Sequence, residues 1–267
     1  MMQEPRRWTG VDLDGVVAAM KAVAFDLDNT LASSKQPMSP AMAQRFAALT
    51  HLTDVAVITG GRFSLVRSQI LDVVNERIDP SRLHLMPTSG TRYYRWDADR
   101  RAWASVYSHD LSADDRIAAV ASLELRAREL GMWEEQAVGE RIEDRGSQLT
   151  FSALGQLATP DEKARWDPDD TKKRRLAAAV ARDLPHLKVR PGGYTSVDVS
   201  LPGLDKSYAV RELCLSLRIT PSDLVFVGDR MTPGGNDYPA AQAGAVALAV
   251  TDPSDTLRLV DAMLERL

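Results

Sequence analysis

Apolar residues recur along this chain with two different periods, and the switches between them mark out its parts. Ala22 to Phe25 is a short apolar run, too short for a helix and the right length for a buried strand. It stops at Asp26-Leu27-Asp28-Asn29-Thr30. Over 37–50, Met42, Phe46 and Leu49 fall on one helical face, behind Ser39 as N-cap and Pro40 in the first turn. Val55 to Ile58 predicts a second strand, ending in Thr59-Gly60-Gly61-Arg62. A helix with Phe63, Val66, Ile70 and Val73 on one side follows, then a third strand at His84 to Met86. Strand–helix alternation of this kind predicts a parallel sheet, with ligands at the carboxyl ends of its strands.

The texture changes near Gly90. Tyr93 to Trp96 and Ala102 to Val106 flank Asp97-Ala98-Asp99-Arg100, a hairpin pattern. A helix is predicted from Ser112 to about Leu130, with Asp114 and Asp115 in its first turn and Gly131 as its stop. Strands are predicted near 137–144 and 148–154, a helix over about 170–183, and strands over 187–190 and 194–200. Lys172-Lys173-Arg174-Arg175 reads as a solvated face. The parallel pattern resumes with a helix from Lys206 to Leu217, an apolar strand at Leu224 to Val227, a strand at Ala245 to Ala249 and a last helix near Asp252-Pro253. The expected division is an N-terminal extension over 1–20, an α/β core over 21–89 and 202–267, and an inserted α+β unit over 90–201. Linkers are expected near 88–91 and 201–204, the second with Pro202-Gly203, as hinges.

Composition narrows the function classes. The 267 residues carry a net charge of −4, which speaks against a broad nucleic-acid footprint. One cysteine, Cys214, rules out an internal disulfide and a thiolate cluster, and its helical setting makes it inert core. No apolar run is long enough to span a membrane, and the N-terminus lacks the form of a signal peptide, so a cytoplasmic protein is expected. Met20 stands directly before the first strand, which suits an extension from an upstream start.

Asp26 and Asp28, just past a buried strand, are costly without a partner. A divalent cation supplies one, and Mg²⁺ favours a few carboxylates together with substrate phosphate. Asp12-Leu13-Asp14-Gly15 has the same outline but follows Arg6-Arg7-Trp8-Thr9-Gly10, which is no buried strand, and it reads as a decoy. Four polar clusters then fall at strand or helix ends of one sheet: Asp26 and Asp28, Thr59, Lys206, and Asp229 with Asp237. Carboxylates to hold Mg²⁺, a lysine and a hydroxyl for phosphate oxygens, and an aspartate to attack phosphorus make a phosphoryl-transfer set.

With these residues in this order, the chain beyond about residue 21 resembles the haloacid dehalogenase superfamily. Asp26-Leu27-Asp28-Asn29-Thr30, Thr59, Lys206 and Gly228-Asp229 through Asp237 look like its four motifs. Gly228-Asp229-Arg230-Met231-Thr232-Pro233-Gly234-Gly235-Asn236-Asp237 is similar to the fourth motif of eukaryotic phosphomannomutases. The position of the insertion is similar to the branch that holds those mutases and many sugar phosphatases, so the resemblance implies a Rossmann-like core with an α+β cap.

The resemblance also implies roles. Asp26 would be the nucleophile and Asp28 the general acid and base, with Asp28 giving Mg²⁺ its main-chain carbonyl. Thr59, Gly60 and Lys206 would bind the phosphoryl group. Asp26, Asp229 and Asp237 would complete the metal site. In the cap, Arg145, Lys163, Ser196 and Asp198 would hold the sugar or a distal phosphate. Gln156 stands where the mutases have an arginine, Lys163 and Lys35 stand at two other arginine positions, and Thr59-Gly60-Gly61-Arg62 is more like the cap-bearing phosphatases. Lysine lacks the bidentate fork of arginine. The expectation is therefore a Mg²⁺-dependent phosphatase of a small phosphorylated sugar, with a phosphohexomutase as the alternative and a non-catalytic phosphosugar-binding protein as a third. A homodimer is compatible with it, and neither nucleic acid nor membrane is an expected partner.

Overall fold

The computed structural model describes residues 4–267. Residues 1–3 of the expected N-terminal extension lie outside the described residues. Strands, in chain order, are β1 (Arg6–Arg7), β2 (Ala22–Phe25), β3 (Asp54–Ile58), β4 (Leu83–Met86), β5 (Arg92–Asp97), β6 (Ala102–Ser108), β7 (Ile142–Asp144), β8 (Gln148–Ser152), β9 (Lys188–Pro191), β10 (Ser196–Ser200), β11 (Leu224–Gly228) and β12 (Val246–Ala249). The helices are α1 (Leu13–Ala19), α2 (Pro40–Leu52), α3 (Phe63–Val66), α4 (Asp72–Val74), α5 (Ala113–Glu129), α6 (Pro160–Trp166), α7 (Thr171–Asp183), α8 (Lys206–Leu217), α9 (Tyr238–Gln242) and α10 (Pro253–Leu264).

The chain divides into two units, one formed by Met1–Ser108 with Leu204–Leu267, the other by His109–Gly203. The first unit is built on an eight-stranded sheet of order β1-β12-β11-β2-β3-β4-β5-β6. Pairing is parallel from β1 to β4 across the sheet and antiparallel for β4–β5 and β5–β6. Its central strands are apolar on both faces, as a sheet covered on both sides requires. Val23, Phe25, Val55, Val57, Val225 and Val227 pack with Phe46 and Leu49 of α2 and Leu259 and Val260 of α10. Ala22, Ala24 and Ala56 face the other way, with Ala209, Val210 and Leu213 of α8. Small residues on that face let α8 lie close to the strands.

Three expectations are corrected here. The hairpin β5–β6 was expected to open the inserted unit. Instead β5 bonds to β4 and lengthens the core sheet, because the short link at 87–91 turns the chain back beside the strand it has just left. The segment expected as a hinge near 88–91 is that turn, with Thr88, Ser89 and Gly90 all at positive φ.

The second correction concerns the expected extension over 1–20, whose described residues, 4–20, are built into the sheet and its core rather than forming an appendage. β1 pairs with β12, Leu13 and Val17 of α1 enter the core, and Arg7 and Trp8 both donate to the buried Asp255. The Asp12-Leu13-Asp14-Gly15 outline is structural: Asp12 caps α1 by accepting from Gly15 N–H, and Asp14 pairs with Arg266. The third correction is Val73. Between α3 and α4 lies a π turn, Arg67–Leu71. The extra residue of such a turn rotates the face that follows, so Val74 is the fully buried residue while Val73 packs half-buried against the same core.

The second unit has an antiparallel sheet of order β7-β8-β10-β9. Leu149, Phe151, Val197 and Val199 form a core with Leu123 of α5 and Leu176 and Val180 of α7. The basic run at the start of α7 is exposed except for Lys173, which is buried, paired with Asp170 and bonded to the carbonyl of Gly193. Cys214 is buried on α8. No helix among the described residues is long and apolar enough to cross a membrane.

Candidate active site

Asp26, Thr59 and Asp229 are each the first residue past the carboxyl end of a parallel strand, β2, β3 and β11 in turn. From β2 the chain moves one way across the sheet to β3 and β4, while β11 and β12 lie on the other side of β2. The carboxyl ends of β2 and β11 therefore flank the point where strand order reverses, the place where open α/β sheets form a crevice. Register holds these ends level: Phe25 pairs with Val227, and Asp26 N–H donates to the carbonyl of Val227 at 2.9 Å.

Lys206 enters from the first turn of α8, capped by Asp205. It is almost wholly buried, and its Nζ donates to Asp26 Oδ1 and Asp237 Oδ1, each at 2.5 Å. Asp237 is itself fully buried, and its Oδ2 accepts from Arg230 N–H at 2.9 Å. Carboxylate oxygens of Asp26, Asp229 and Asp237 lie within 4.8 Å of one another. Three carboxylates against one ammonium leave a local excess of negative charge. Burial pushes the Asp26 carboxyl up to about 7 against the pull of Lys206, with Asp237 and Asp229 adding to the rise. Burial and the neighbouring Asp237 push Asp229 up to about 6. Burial alone would lower the Lys206 ammonium, but Asp237 and Asp26 outweigh it and the net shift is upward. A divalent cation would balance that excess, and an all-oxygen donor set is the kind that suits Mg²⁺. The residues present fit the metal that the sequence implied.

Asp28 does not join this cluster through its carboxylate. It is half-buried, and its Oδ1 accepts from Lys35 N–H at 2.8 Å and from Gln69 Nε2 at 3.2 Å. Thr59 is buried, and its Oγ1 accepts from Gly61 N–H at 3.1 Å. The loop it opens is braced by the turn after β4: Ser89 N–H donates to the carbonyl of Thr59 at 2.7 Å and Thr88 N–H to that of Gly61 at 2.8 Å. A β-carbon on Gly60 would meet nothing within 4 Å.

In the second unit, side chains of one row cross all four strands: Glu143, Thr150, Asp198 and Arg190, placed opposite one another by the register. Thr150 Oγ1 donates to Asp198 Oδ1 at 2.9 Å, and Arg190 Nε lies 3.7 Å from Asp198 Oδ2. Arg145 donates to Glu143 Oε2 from Nε at 3.0 Å and from Nη2 at 2.6 Å. Lys163 Nζ donates to the carbonyl of Gln156 at 2.9 Å, and Gln156 Nε2 to the carbonyl of Thr150 at 3.1 Å. Ser196 begins β10 on the face of Asp198. Sequence reasoning missed Glu143, Thr150 and Arg190. Only the alternation of polar and apolar residues along β8 and β10 pointed to that face. It also missed Gln69, whose signal was a polar residue on the apolar face of Val66 and Ile70.

Residues 115–266, more than half of the chain, match the family described as eukaryotic phosphomannomutase. The chain is 24% identical over 259 residues to a probable phosphomannomutase of Caenorhabditis elegans, spanning 92% of this chain and 96% of that protein. It is 25% identical over 247 residues to the phosphomannomutase of Schizosaccharomyces pombe, spanning 88% and 91%. It is 26% identical over 249 residues to human phosphomannomutase 1, spanning 88% of each. Among solved structures, an N-terminally truncated, IMP-bound IMP-nucleotidase of Plasmodium falciparum is similar with a TM-score of 0.68 and 12% identity, over 95% of this chain and 71% of that one. A trehalose-6-phosphate phosphatase related protein gives 0.55 and 14%, over 91% and 97%. At such identities the solved structures speak to the fold alone.

Proposed function

The chain belongs to the eukaryotic phosphomannomutase family, within the haloacid dehalogenase superfamily of phosphoryl-transfer enzymes, and from that premise we propose that it hydrolyses a small sugar phosphate through an aspartyl-phosphate on Asp26. The observation that carries this reading is the placement of Asp26: first past β2 at the strand-order reversal, bonded to Lys206, beside Asp229 and Asp237.

In this reading a carboxylate oxygen of Asp26 attacks phosphorus, and the bond from phosphorus to the sugar oxygen breaks. Asp28 gives its proton to the departing alcohol. It then takes one from the water that cleaves the acyl phosphate, which returns Asp26 and releases inorganic phosphate. Lys206, the Thr59 hydroxyl and the main chain at Gly60 hold phosphate oxygens while charge moves between them. Asp26, Asp229, Asp237 and the carbonyl of Asp28 would hold Mg²⁺, which neutralises phosphate charge when bound. Arg145, Lys163, Ser196 and Asp198 select the sugar. Cytoplasmic placement goes with this reading.

The second reading, a phosphohexomutase, is favoured by the names of the relatives. A mutase must hold a bisphosphate at both ends, and its distal phosphate calls for cations not already balanced by carboxylates. Here Arg145 carries Glu143 and Arg190 lies beside Asp198, while Gln156 offers an amide. That internal pairing supports hydrolysis. Phosphate release from hexose phosphates, measured beside hexose 1-phosphate to 6-phosphate conversion with a hexose bisphosphate present, separates the two. Release is expected to be the faster; isomerisation ahead by tenfold or more reverses the order. Gln156→Arg is expected to move the ratio toward isomerisation.

A further inference from the structure

Gln69 is a buried carboxamide on an apolar helical face, 1% exposed between Val66, Ile70 and Val74, and it lies in the π turn that interrupts this helix. Single π turns recur at functional sites. Its Nε2 donates to Asp28 Oδ1 at 3.2 Å and to the carbonyl of Gln36 at 3.0 Å. Both partners are acceptors, so the chemistry fixes which end of the amide faces them. Its Oε1 accepts nothing among the described residues, a cost that a merely space-filling side chain would not carry. The main-chain carbonyl of Gln69 accepts from Met38 N–H at 2.9 Å. Lys35, held at φ 59, aims its N–H at the same Asp28 Oδ1 from 2.8 Å. Two donors thus converge on one carboxylate oxygen from two segments, and Gln69 ties both segments together.

We propose that Gln69 is a positioning residue: with the Lys35 amide it clamps Oδ1 of Asp28, so that Oδ2 is the oxygen that gives the proton to the leaving alcohol and takes one from water. The inference rests on the acid–base reading of Asp28 given above. The rival is a loop anchor, in which Gln69 holds 33–38 in place through Gln36 and Met38 and has no bearing on proton transfer.

Gln69→Met keeps the volume and removes both donors. With the best sugar phosphate, kcat is expected to fall about tenfold to a hundredfold, the scale of a misplaced catalytic group, with KM within about twofold. An aryl phosphate with an acidic leaving group needs no proton for departure. Its first-turnover release is expected to change by less than about threefold, followed by slow steady-state turnover. In an Asp28→Asn background, Gln69→Met is expected to change kcat by less than about twofold, since the group it positions is gone. Gln69→Asn, which keeps an amide but shortens the reach, gives the same pattern should Gln69→Met not fold. Equal losses on the aryl burst and the sugar phosphate, or an undiminished further loss in the Asp28→Asn background, overturn the clamp in favour of the loop anchor. A slow Asp28→Asn beside a Gln69→Met at the wild-type rate overturns the clamp alone. A wild-type rate for Asp28→Asn on the sugar phosphate overturns the acid–base reading and the clamp together.

Discussion

A β-carbon on Gly228 would lie 2.5 Å from Oδ2 of Asp237. The last residue of β11 has no side chain because the carboxylate that bonds Lys206 and Arg230 N–H occupies that space. Gly228→Ala is therefore expected to displace Asp237 and lower kcat by at least about a hundredfold, the scale of a disturbed reacting geometry. The Mg²⁺ concentration for half-maximal rate should rise with it. Steady-state kinetics across a Mg²⁺ titration would show this, and an unchanged metal requirement would count against the assignment.

Gly90 and Ala209 form a second close approach. A β-carbon on Gly90 would stand 2.2 Å from that of Ala209, and Gly90 has φ +82. Ala209 lies one turn into α8, the helix that starts at Lys206. Gly90→Ala should push the start of α8 outward and reduce both thermal stability and turnover. Gly90→Ala with Ala209→Gly removes the closest contact but leaves the α-carbon of residue 209 at 3.0 Å and the strained φ, so recovery should be partial. A double variant no better than the single one would mean that the contact does not transmit to Lys206.

The core strands, the α2 cap at Ser39 and the four polar clusters were legible because each rests on local signals: apolar run length, a capping side chain, charge at a strand end. What was not legible depends on partners distant in sequence. The β5–β6 hairpin reads identically whether it pairs with β4 or with the inserted unit. Nothing in Arg6-Arg7-Trp8 announces Asp255, some 250 residues away. The π turn before Val74 has no breaker residue. For the site, residue types gave Asp26, Lys206, Asp229 and Asp237. The turning of the Asp28 carboxylate toward Gln69 depends on the fold of 29–38, and the row from Glu143 to Arg190 depends on strand register.

His84 offers a pH test of stability away from the cluster of Asp26, Asp229 and Asp237. It is buried, with Nδ1 2.6 Å from the Tyr93 hydroxyl and Nε2 3.4 Å from Asp54 Oδ1. Burial lowers its pKa from the ordinary 6.5, Asp54 opposing and Arg95 assisting. The folded state thus refuses a proton that the unfolded state accepts. Its contribution is fully present above about pH 6.5 and is lost as pH falls below that value, by up to about 1.4 kcal/mol per unit. Denaturant melts between pH 7.5 and 5.5 should show this slope, and His84→Gln should flatten it. Equal slopes would remove His84 as the cause.

Deleting residues 1–19 strips Arg7 and Trp8 from Asp255 and uncovers the core beside Leu13 and Val17. Asp255 keeps Thr251 and Arg258 as partners, and a cost on the order of 2–5 kcal/mol is expected from its two lost donors and the lost apolar burial. Chemical denaturation of the shortened chain would measure it; a stability equal to the full chain's would return these residues to the status of an appendage.

The first unit is discontinuous in sequence, and that sets an order of assembly. β2 at Ala22–Phe25 bonds to β11 at Leu224–Gly228, so the middle of the core sheet joins segments about 200 residues apart. A chain made from its N-terminus emerges with β2, β3 and β4 present and one side of β2 unpaired while all of His109–Gly203 is still to come. An exposed apolar strand edge held open that long is the kind of surface that chaperones shield and that aggregation exploits. The second unit is contiguous and needs nothing made after it to close its own sheet. Nascent chains arrested before residue 224 should be cut readily within 22–58, and released full-length chains should resist.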